Sequence, residues 1–337
     1  MSNYAYVATR ARSRRSRLLP AEAYNQLLNL EHAEIARYIQ DLEYRREIDR
    51  YGSTLSGADL IETALVDNLA KDIGDFLSFS KGKLRDILHV YAEKYRVDNL
   101  KNIIRGINQN MDRQSLERLV CPINDSDKDL YSKLYDSKTV EDVISSLEGT
   151  SYYNPLKKAL ESRNSDSLQP LEDALDLIYY RNLVSNQPSG GADVEVYRNF
   201  VQLKVDIANI KTLLRMRHRG IGSHDELLIS GGTLATDLLA STQSLEDLLS
   251  SLEGTKYFEL LEPHLKPDSV DLNSCVHSLD EYMAKKTKRF SYLYPLSVLP
   301  VLDYLLKKER EVYNLRAIVR GKQAGLANDI IEELVVV

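Results

Sequence analysis

Three stretches of this chain read as one another: Val97-Asp98-Asn99-Leu100-Lys101-Asn102-Ile103-Ile104-Arg105, Ile207-Ala208-Asn209-Ile210-Lys211-Thr212-Leu213-Leu214-Arg215 and Val312-Tyr313-Asn314-Leu315-Arg316-Ala317-Ile318-Val319-Arg320. Each runs from a β-branched residue through Asn, an aliphatic, a base and two more aliphatics to Arg. The three asparagines lie 110 and 105 residues apart. A signature that returns at a long period marks one structural unit copied along the chain. Leu100, Ile103, Ile104 and Ile107 follow the spacing of one helix face. Ile207, Ile210 and Leu214 do so in the second copy, and Val312, Leu315 and Val319 in the third. Each stretch is therefore predicted to be an amphipathic helix.

Other landmarks keep step. Ser145-Ser146-Leu147-Glu148-Gly149-Thr150-Ser151-Tyr152 returns as Ser250-Ser251-Leu252-Glu253-Gly254-Thr255-Lys256-Tyr257, with Leu42-Glu43 at the same offset in the first copy. Ile61-Glu62-Thr63-Ala64-Leu65 is echoed by Leu171-Glu172-Asp173-Ala174-Leu175 and more weakly by Leu279-Asp280-Glu281-Tyr282-Met283. Each signature is followed by a second one: Glu117-Arg118-Leu119-Val120, Glu226-Leu227-Leu228-Ile229 and Glu332-Glu333-Leu334-Val335. The expected units are 1–120, opening with a basic N-terminal helix over 1–17, then 121–229 and 230–337. Such a period exceeds the roughly 33–47 residues of helix-pair solenoids and suits a small helical domain with its own core. No series of alternating strands is present, so the expected class is all-α. Turn residues mark loops at Cys121-Pro122-Ile123-Asn124-Asp125, at Asn186-Gln187-Pro188-Ser189-Gly190-Gly191 and at Ser230-Gly231-Gly232. Ser244, with Glu246 and Asp247 behind it, reads as a helix N-terminus.

Hydrophobic residues at 43% and charged residues at 28% describe an ordinary globular chain. The longest uncharged apolar stretch, 290–302, is broken by Pro295 and Pro300 and is shorter than the ~20 residues of a membrane span. No secretory h-region opens the chain. The two cysteines, Cys121 and Cys275, fit a reducing cytosol and have no metal spacing. Five arginines (Arg10, Arg12, Arg14, Arg15, Arg17) precede the first acid, Glu22, in a chain of net charge −6. That sidedness has two readings: a solvated amphipathic helix, or a contact with an acidic partner or anionic lipid. Nucleic acid is disfavoured because no further basic stripe exists.

Sequence chemistry for a reaction is lacking. Gly82-Lys83 follows Gly74 at the wrong spacing for a phosphate loop. Gly220-Ile221-Gly222 lacks a third glycine. Asp125-Ser126-Asp127-Lys128-Asp129 starts like a calcium loop but has Leu130 at its sixth position. His32, His89, His218, His224, His264 and His277 do not cluster. No catalytic residue, cofactor or metal is expected.

The repeated polar residues are Asn99, Lys101 and Arg105, then Asn209, Lys211 and Arg215, then Asn314, Arg316 and Arg320. Their expected role is structural: each base snorkels along its core and pairs with an acid of its own unit, Glu62, Glu172 and Asp280 being the natural partners. The alternative is a shared surface that touches a partner. Positions that break the repeat, namely the five N-terminal arginines and the loop over 186–193, are the better candidates for partner or membrane contact.

The chain resembles the C subunit of archaeal and bacterial A/V-type ATP synthases, the counterpart of the d subunit of vacuolar ATPases. The resemblance is carried by Tyr4-Ala5-Tyr6-Val7-Ala8-Thr9-Arg10-Ala11-Arg12, by 95–105, by Ser230-Gly231-Gly232-Thr233-Leu234 and by 314–321. It implies a funnel of three similar helical domains about a pseudo-threefold axis. It further implies a peripheral protein at the cytoplasmic face of the membrane, one copy per complex, without a catalytic site. Its implied partners are the central stalk and the membrane rotor ring, between which it passes torque for ATP synthesis and ion transport. Two other readings stay open: a cytosolic helical scaffold for an unrelated protein, and an all-α enzyme with an enclosed polar pocket.

Overall fold

The computed structural model describes residues 2–162, 167–188, 190–222, 225–266 and 269–336. Among them are eighteen α-helices, two short 3-10 turns and one antiparallel ribbon of two-residue strands, Leu265–Lys266 with Ser269–Val270.

After the N-terminal helix Tyr4–Arg15, one order of six elements is followed three times. The first pass is Ala21–Leu27, His32–Gln40, Arg45–Tyr51, Gly57–Phe79, Lys83–Asn108 and Arg113–Leu119. The second is Asp125–Leu134, Val140–Ser145, Tyr153–Glu161, Gln169–Ser185, Ala192–His218 and the 3-10 turn Asp225–Leu227. The third is Thr236–Ser241, Leu245–Ser251, Lys256–Leu261, Leu272–Leu293, Leu299–Gln323 and Asn328–Leu334, with the ribbon inserted after its third helix. Every signature thus lies on the second of two long helices, and every repeated acid on the first.

Local chemistry explains the recurrence. The second element of each pass opens with a capping box: Glu31 with Glu34, Thr139 with Asp142, and Ser244 with Asp247. Each box satisfies two backbone donors that a helix start leaves free. The Leu-Glu-Gly landmark ends that element. Gly149 and Gly254 take φ of +83° and +77° there, a conformation that side chains oppose. Further along, Gly106 and Gly321 each lie seven residues beyond a signature Asn and admit the closing helix. A Cβ would stand 2.2 Å from Leu116 Cδ2 at the first and 2.7 Å from Ile331 Cγ1 at the second. The second copy carries Met216 at that position, and only the 3-10 turn follows it.

The chain packs as two compact units, Met1–Leu175 with Tyr304–Val337, and Asp176–Asp303. These limits cut across the sequence copies. In the first unit, Leu27, Ile35, Ile39, Ile61 and Leu65 share one core with Val312, Leu315, Ile318, Val319 and Ile331. The signature helix of the last copy therefore completes the core of the first. In the second unit, the signature helix Ala192–His218 packs on Leu245–Ser251 and Leu272–Leu293 of the following copy. Ile210, Leu213, Leu248 and Leu279 are buried there.

Replacing Leu315 with Ala should lower the unfolding free energy by about 2–5 kcal/mol, the range for a cavity left in a packed core. Urea denaturation measures it, and a loss below about 1 kcal/mol would contradict the shared core.

Candidate functional site: the copy-to-copy junctions and the N-terminal helix

The signature asparagines do the same thing three times. Asn99 Nδ2 donates to Cys121 O at 2.8 Å, and Cys121 N donates to Asn99 Oδ1 at 2.9 Å. Asn209 makes the same pair with Ile229 at 2.8 and 2.9 Å, and Asn314 with Val336 at 2.8 and 2.9 Å. All three side chains are buried. A primary amide offers a donor and an acceptor in one plane, which matches the N–H and C=O of a single residue. Asp or Leu could not satisfy both. The amide holds the chain where it leaves one copy for the next, or, after the third copy, at its end.

Arg105, Lys211, Arg316 and Arg320 pair across copies rather than within them, which corrects the expectation from sequence for these four. Arg105 Nε and Nη2 donate to the two oxygens of Glu172, both at 2.6 Å. Lys211 Nζ donates to Asp280 Oδ1 at 2.6 Å. Arg316 Nε donates to Glu62 Oε1 at 3.1 Å, and Arg320 pairs with Glu62 Oε2 and, at 3.3 Å, with Asp59 Oδ1. The first copy pairs with the second, the second with the third, and the third with the first. Intra-copy pairing fails because each signature helix turns its base-bearing edge to the acid helix of the copy that follows. Glu62 has a side chain only 6% exposed, against 48% for Asp280, so the junction between third and first copies is the better shielded. Lys101 and Arg215 are half-buried on their helices.

A second set of junction contacts escaped the sequence reading. Tyr44 Oη donates to Glu311 Oε1 at 2.6 Å, and Tyr257 Oη to Asp206 Oδ2 at 3.1 Å, while Tyr152 Oη donates to Glu93. In each case the tyrosine belongs to the copy after the acid. Asp206 also receives Thr233 N at 2.8 Å and Leu234 N at 3.1 Å, and Glu311 receives Leu19 N at 2.6 Å. These backbone groups lie just ahead of the first helix of the next pass. In the first junction the direction is reversed: Arg96, on the signature helix, donates through Nε to Asp127 of the next copy at 2.8 Å and through Nη1 to Glu93 at 3.1 Å. Buried Lys308 donates to Tyr44 Oη at 2.7 Å and to Glu311 at 3.1 Å, so that carboxylate is charge-paired as well. Burial, and then the Glu311 charge, push the Tyr44 hydroxyl well above its ordinary pKa. The acids stand six residues before Asn99 but three before Asn209 and Asn314. That offset hid them from a search for equal spacing, although Tyr152 and Tyr257 close the two quoted landmarks.

The N-terminal helix buries Val7, Ala8 and Ala11. Asn3 clamps the turn after Phe79, donating to Phe79 O at 2.8 Å and accepting from Lys81 N at 2.9 Å. Arg14 reaches Asp72 at 2.6 Å and Asp75 at 2.5 Å. The guanidinium of Arg10 lies 4.2 Å from the Phe79 ring centroid and 4.8 Å from that of Tyr6. Arg17 meets Glu43 at 3.0 Å on the surface, Arg15 is half-buried, and Arg12 is exposed. Burial raises the pKa of Asp72 while the Arg14 charge opposes the rise. Arg14 is thus built into the fold. Arg10, Arg12 and Arg17 are the exposed members of the set, Arg10 lying over two rings and Arg17 beside Glu43.

The other singled-out residues have local roles. Asn124 caps the helix that Asp125 and Asp127 open, which accounts for the calcium-loop likeness. His32 Nε2 lies 3.0 Å from Val319 O, His264 Nε2 lies 3.2 Å from Ser278 Oγ, and His89 faces Arg85. His224 and Ser189 lie outside the described residues, and of the 186–193 loop Asn186 bonds back to Asn182. No group of three or more His, Cys, Asp or Glu is placed to hold a metal ion among the described residues. Among them too, no helix is long and apolar enough to cross a membrane.

The repeated polar residues are thus spent on junctions between copies within the chain. Over residues 7–334 the sequence matches the ATP synthase (C/AC39) subunit family. It is 37% identical to the C subunit of the A-type ATP synthase of Haloferax volcanii, over 99% of this chain and 98% of that protein. It is 35% identical to the same protein of Halobacterium salinarum, over 98% and 97%, and 33% identical to that of Archaeoglobus fulgidus, over 99% and 96%. The chain belongs to the ATP synthase C/AC39 subunit family.

Asn209→Ala strands the buried N–H and C=O of Ile229 and should cost about 2–4 kcal/mol. Lys211→Gln, which breaks a half-exposed ion pair, should cost less than about 1 kcal/mol. Urea titrations of the two variants compare them, and equal losses would refute the ranking. A pH effect is expected at Glu93, whose carboxyl burial holds above its ordinary 4.5. Folded Glu93 keeps its proton to higher pH than unfolded Glu93, so its contribution to stability declines as pH rises from 4.5 through the raised value. Glu93→Gln removes that decline. The stability of the variant relative to the parent should increase over this interval, and a pH-independent difference would count against it.

Proposed function

We propose that this chain is the central-stalk adaptor of an A/V-type rotary ATPase. In this role it sits at the cytoplasmic face on the membrane rotor ring, receives the foot of the stalk and carries torque between them, as one copy per complex. The observation that carries the proposal is the near-full-length similarity to relatives named as the C subunit of an A-type ATP synthase. The geometry supports it. Pairing that passes from first copy to second, second to third and third to first suits three similar helical domains around a pseudo-threefold axis, a funnel with room for a shaft. Hydrolysis and synthesis then belong to other subunits, and this chain has a mechanical part.

The physical demand on such a part is stiffness. Close-packed helical cores are weakly compressible, and the buried acid–tyrosine contacts resist sliding of one copy over the next because each would leave a charge without its partners. Affinity for the stalk would rest on shape and charge complementarity. A cytosolic scaffold for an unrelated partner is the competing reading.

Purified chain mixed with detergent-solubilised ring and with stalk subunits should bridge the two in one peak on size-exclusion chromatography. Ring and stalk that elute separately in its presence would overturn the adaptor role. A tagged chain that draws no rotor subunits from native membranes would favour the scaffold.

A further inference from the structure

We infer that the turn over 292–296, together with the bases one helical turn behind it, is a surface that enters the headgroup layer of an anionic membrane. The inference rests on the reading of this chain as part of a membrane machine, but the contact it names is with lipid and not with the ring.

The helix Leu272–Leu293 ends in five consecutive exposed residues, Tyr292, Leu293, Tyr294, Pro295 and Leu296. Tyr292, Leu293 and Leu296 are 64%, 60% and 63% exposed, the largest values among the exposed apolar side chains of the described residues. At Ser297 the chain is buried again, and Ser297 Oγ ties the turn by donating to Tyr294 O at 2.7 Å. The fold does not require this tip. The equivalent connection in the first copy is Ser80-Lys81-Gly82, and its one aromatic neighbour, Phe79, is covered by Tyr6 and Arg10 of the N-terminal helix. In the second copy the connection begins with Asn186 and Gln187. Among the described residues, the third copy alone presents a run of exposed apolar side chains at this connection, and a contiguous exposed apolar patch marks an interaction surface.

The chemistry of the tip selects a lipid surface. Tyr has an apolar ring and a polar end, and suits the boundary between headgroups and acyl chains. Leu293 and Leu296 add apolar area, and Pro295 stiffens the loop. Lys288 and Arg289 precede Tyr292 and Leu293 by four residues, which puts them on the same helix face about 6 Å back along the axis. Both are exposed. Lys285 and Lys286 are engaged nearer home, the first with Glu281 at 2.6 Å and the second over the Tyr282 ring. Two bases set just behind an apolar tip, on a chain of net charge −6, match phosphate headgroups above acyl chains.

The test is flotation of the whole chain with vesicles of phosphatidylcholine alone and of equal parts phosphatidylcholine and phosphatidylglycerol. The parent should float with the anionic vesicles at low salt and stay behind with the neutral ones. Two double variants, Leu293→Ser with Leu296→Ser and Lys288→Gln with Arg289→Gln, should each lower the partition coefficient by roughly tenfold or more. Circular dichroism and Tm should not move, because all four side chains face solvent. No flotation of the parent, or flotation unchanged in both variants, overturns the inference. Variants that keep vesicle binding but lose capture by detergent-solubilised ring would make the turn a protein contact and overturn it too. Bridging of ring and stalk by the parent is scored separately in detergent, so a failure with vesicles does not mimic a failure of the adaptor role.

Discussion

Each long signature helix carries buried polar groups whose partners lie in the copy that follows, and the rest of the structure depends on that constraint. Asp206 takes two backbone N–H groups and a tyrosine from the third copy; Glu311 takes Leu19 N and Tyr44 from the first. A carboxylate removed from water is tolerated only when it is fully bonded. Separating a junction would therefore expose or orphan several groups at once. The exposed pairs around them, such as Lys211 with Asp280, contribute little by comparison. Breaking a junction is therefore costly mainly through the buried set.

The clamp by Asn99, Asn209 and Asn314 does a related task at shorter range. It replaces a hydrogen-bonding neighbour that an irregular segment lacks, and so lets the chain leave a helix while staying buried. Together, clamp and junction explain why three passes of short helices form defined cores although several of those helices have only six or seven residues. Isolated helices of that length are unstable; here Asp112, Thr139 and Ser244 cap three of them, and buried apolar residues tie the short helices to the cores.

Much of this was legible in the sequence. The signature stated both the repeat and the helix, because period and apolar spacing are local properties. Ser244 announced its cap through the acids behind it. The partners of the bases were not legible: spacing along one helix says which edge a side chain occupies, not which segment comes to meet it. Glu62 and Arg316 are 254 residues apart, and nothing local relates them. The Tyr–acid contacts were hidden for a different reason, since Glu93 sits one helical turn away from the register of Asp206 and Glu311. The arginine-rich leader misled in part, because composition does not reveal that Asp72 and Asp75 wait for Arg14.

The core that joins 24–65 to 312–331 gives the polypeptide an unusual order of assembly. On a ribosome that adds about 5–20 residues each second, the opening helices wait some tens of seconds for the segment that covers them. Until then their apolar faces lack the surface that buries them, so this core cannot close in step with the emerging chain.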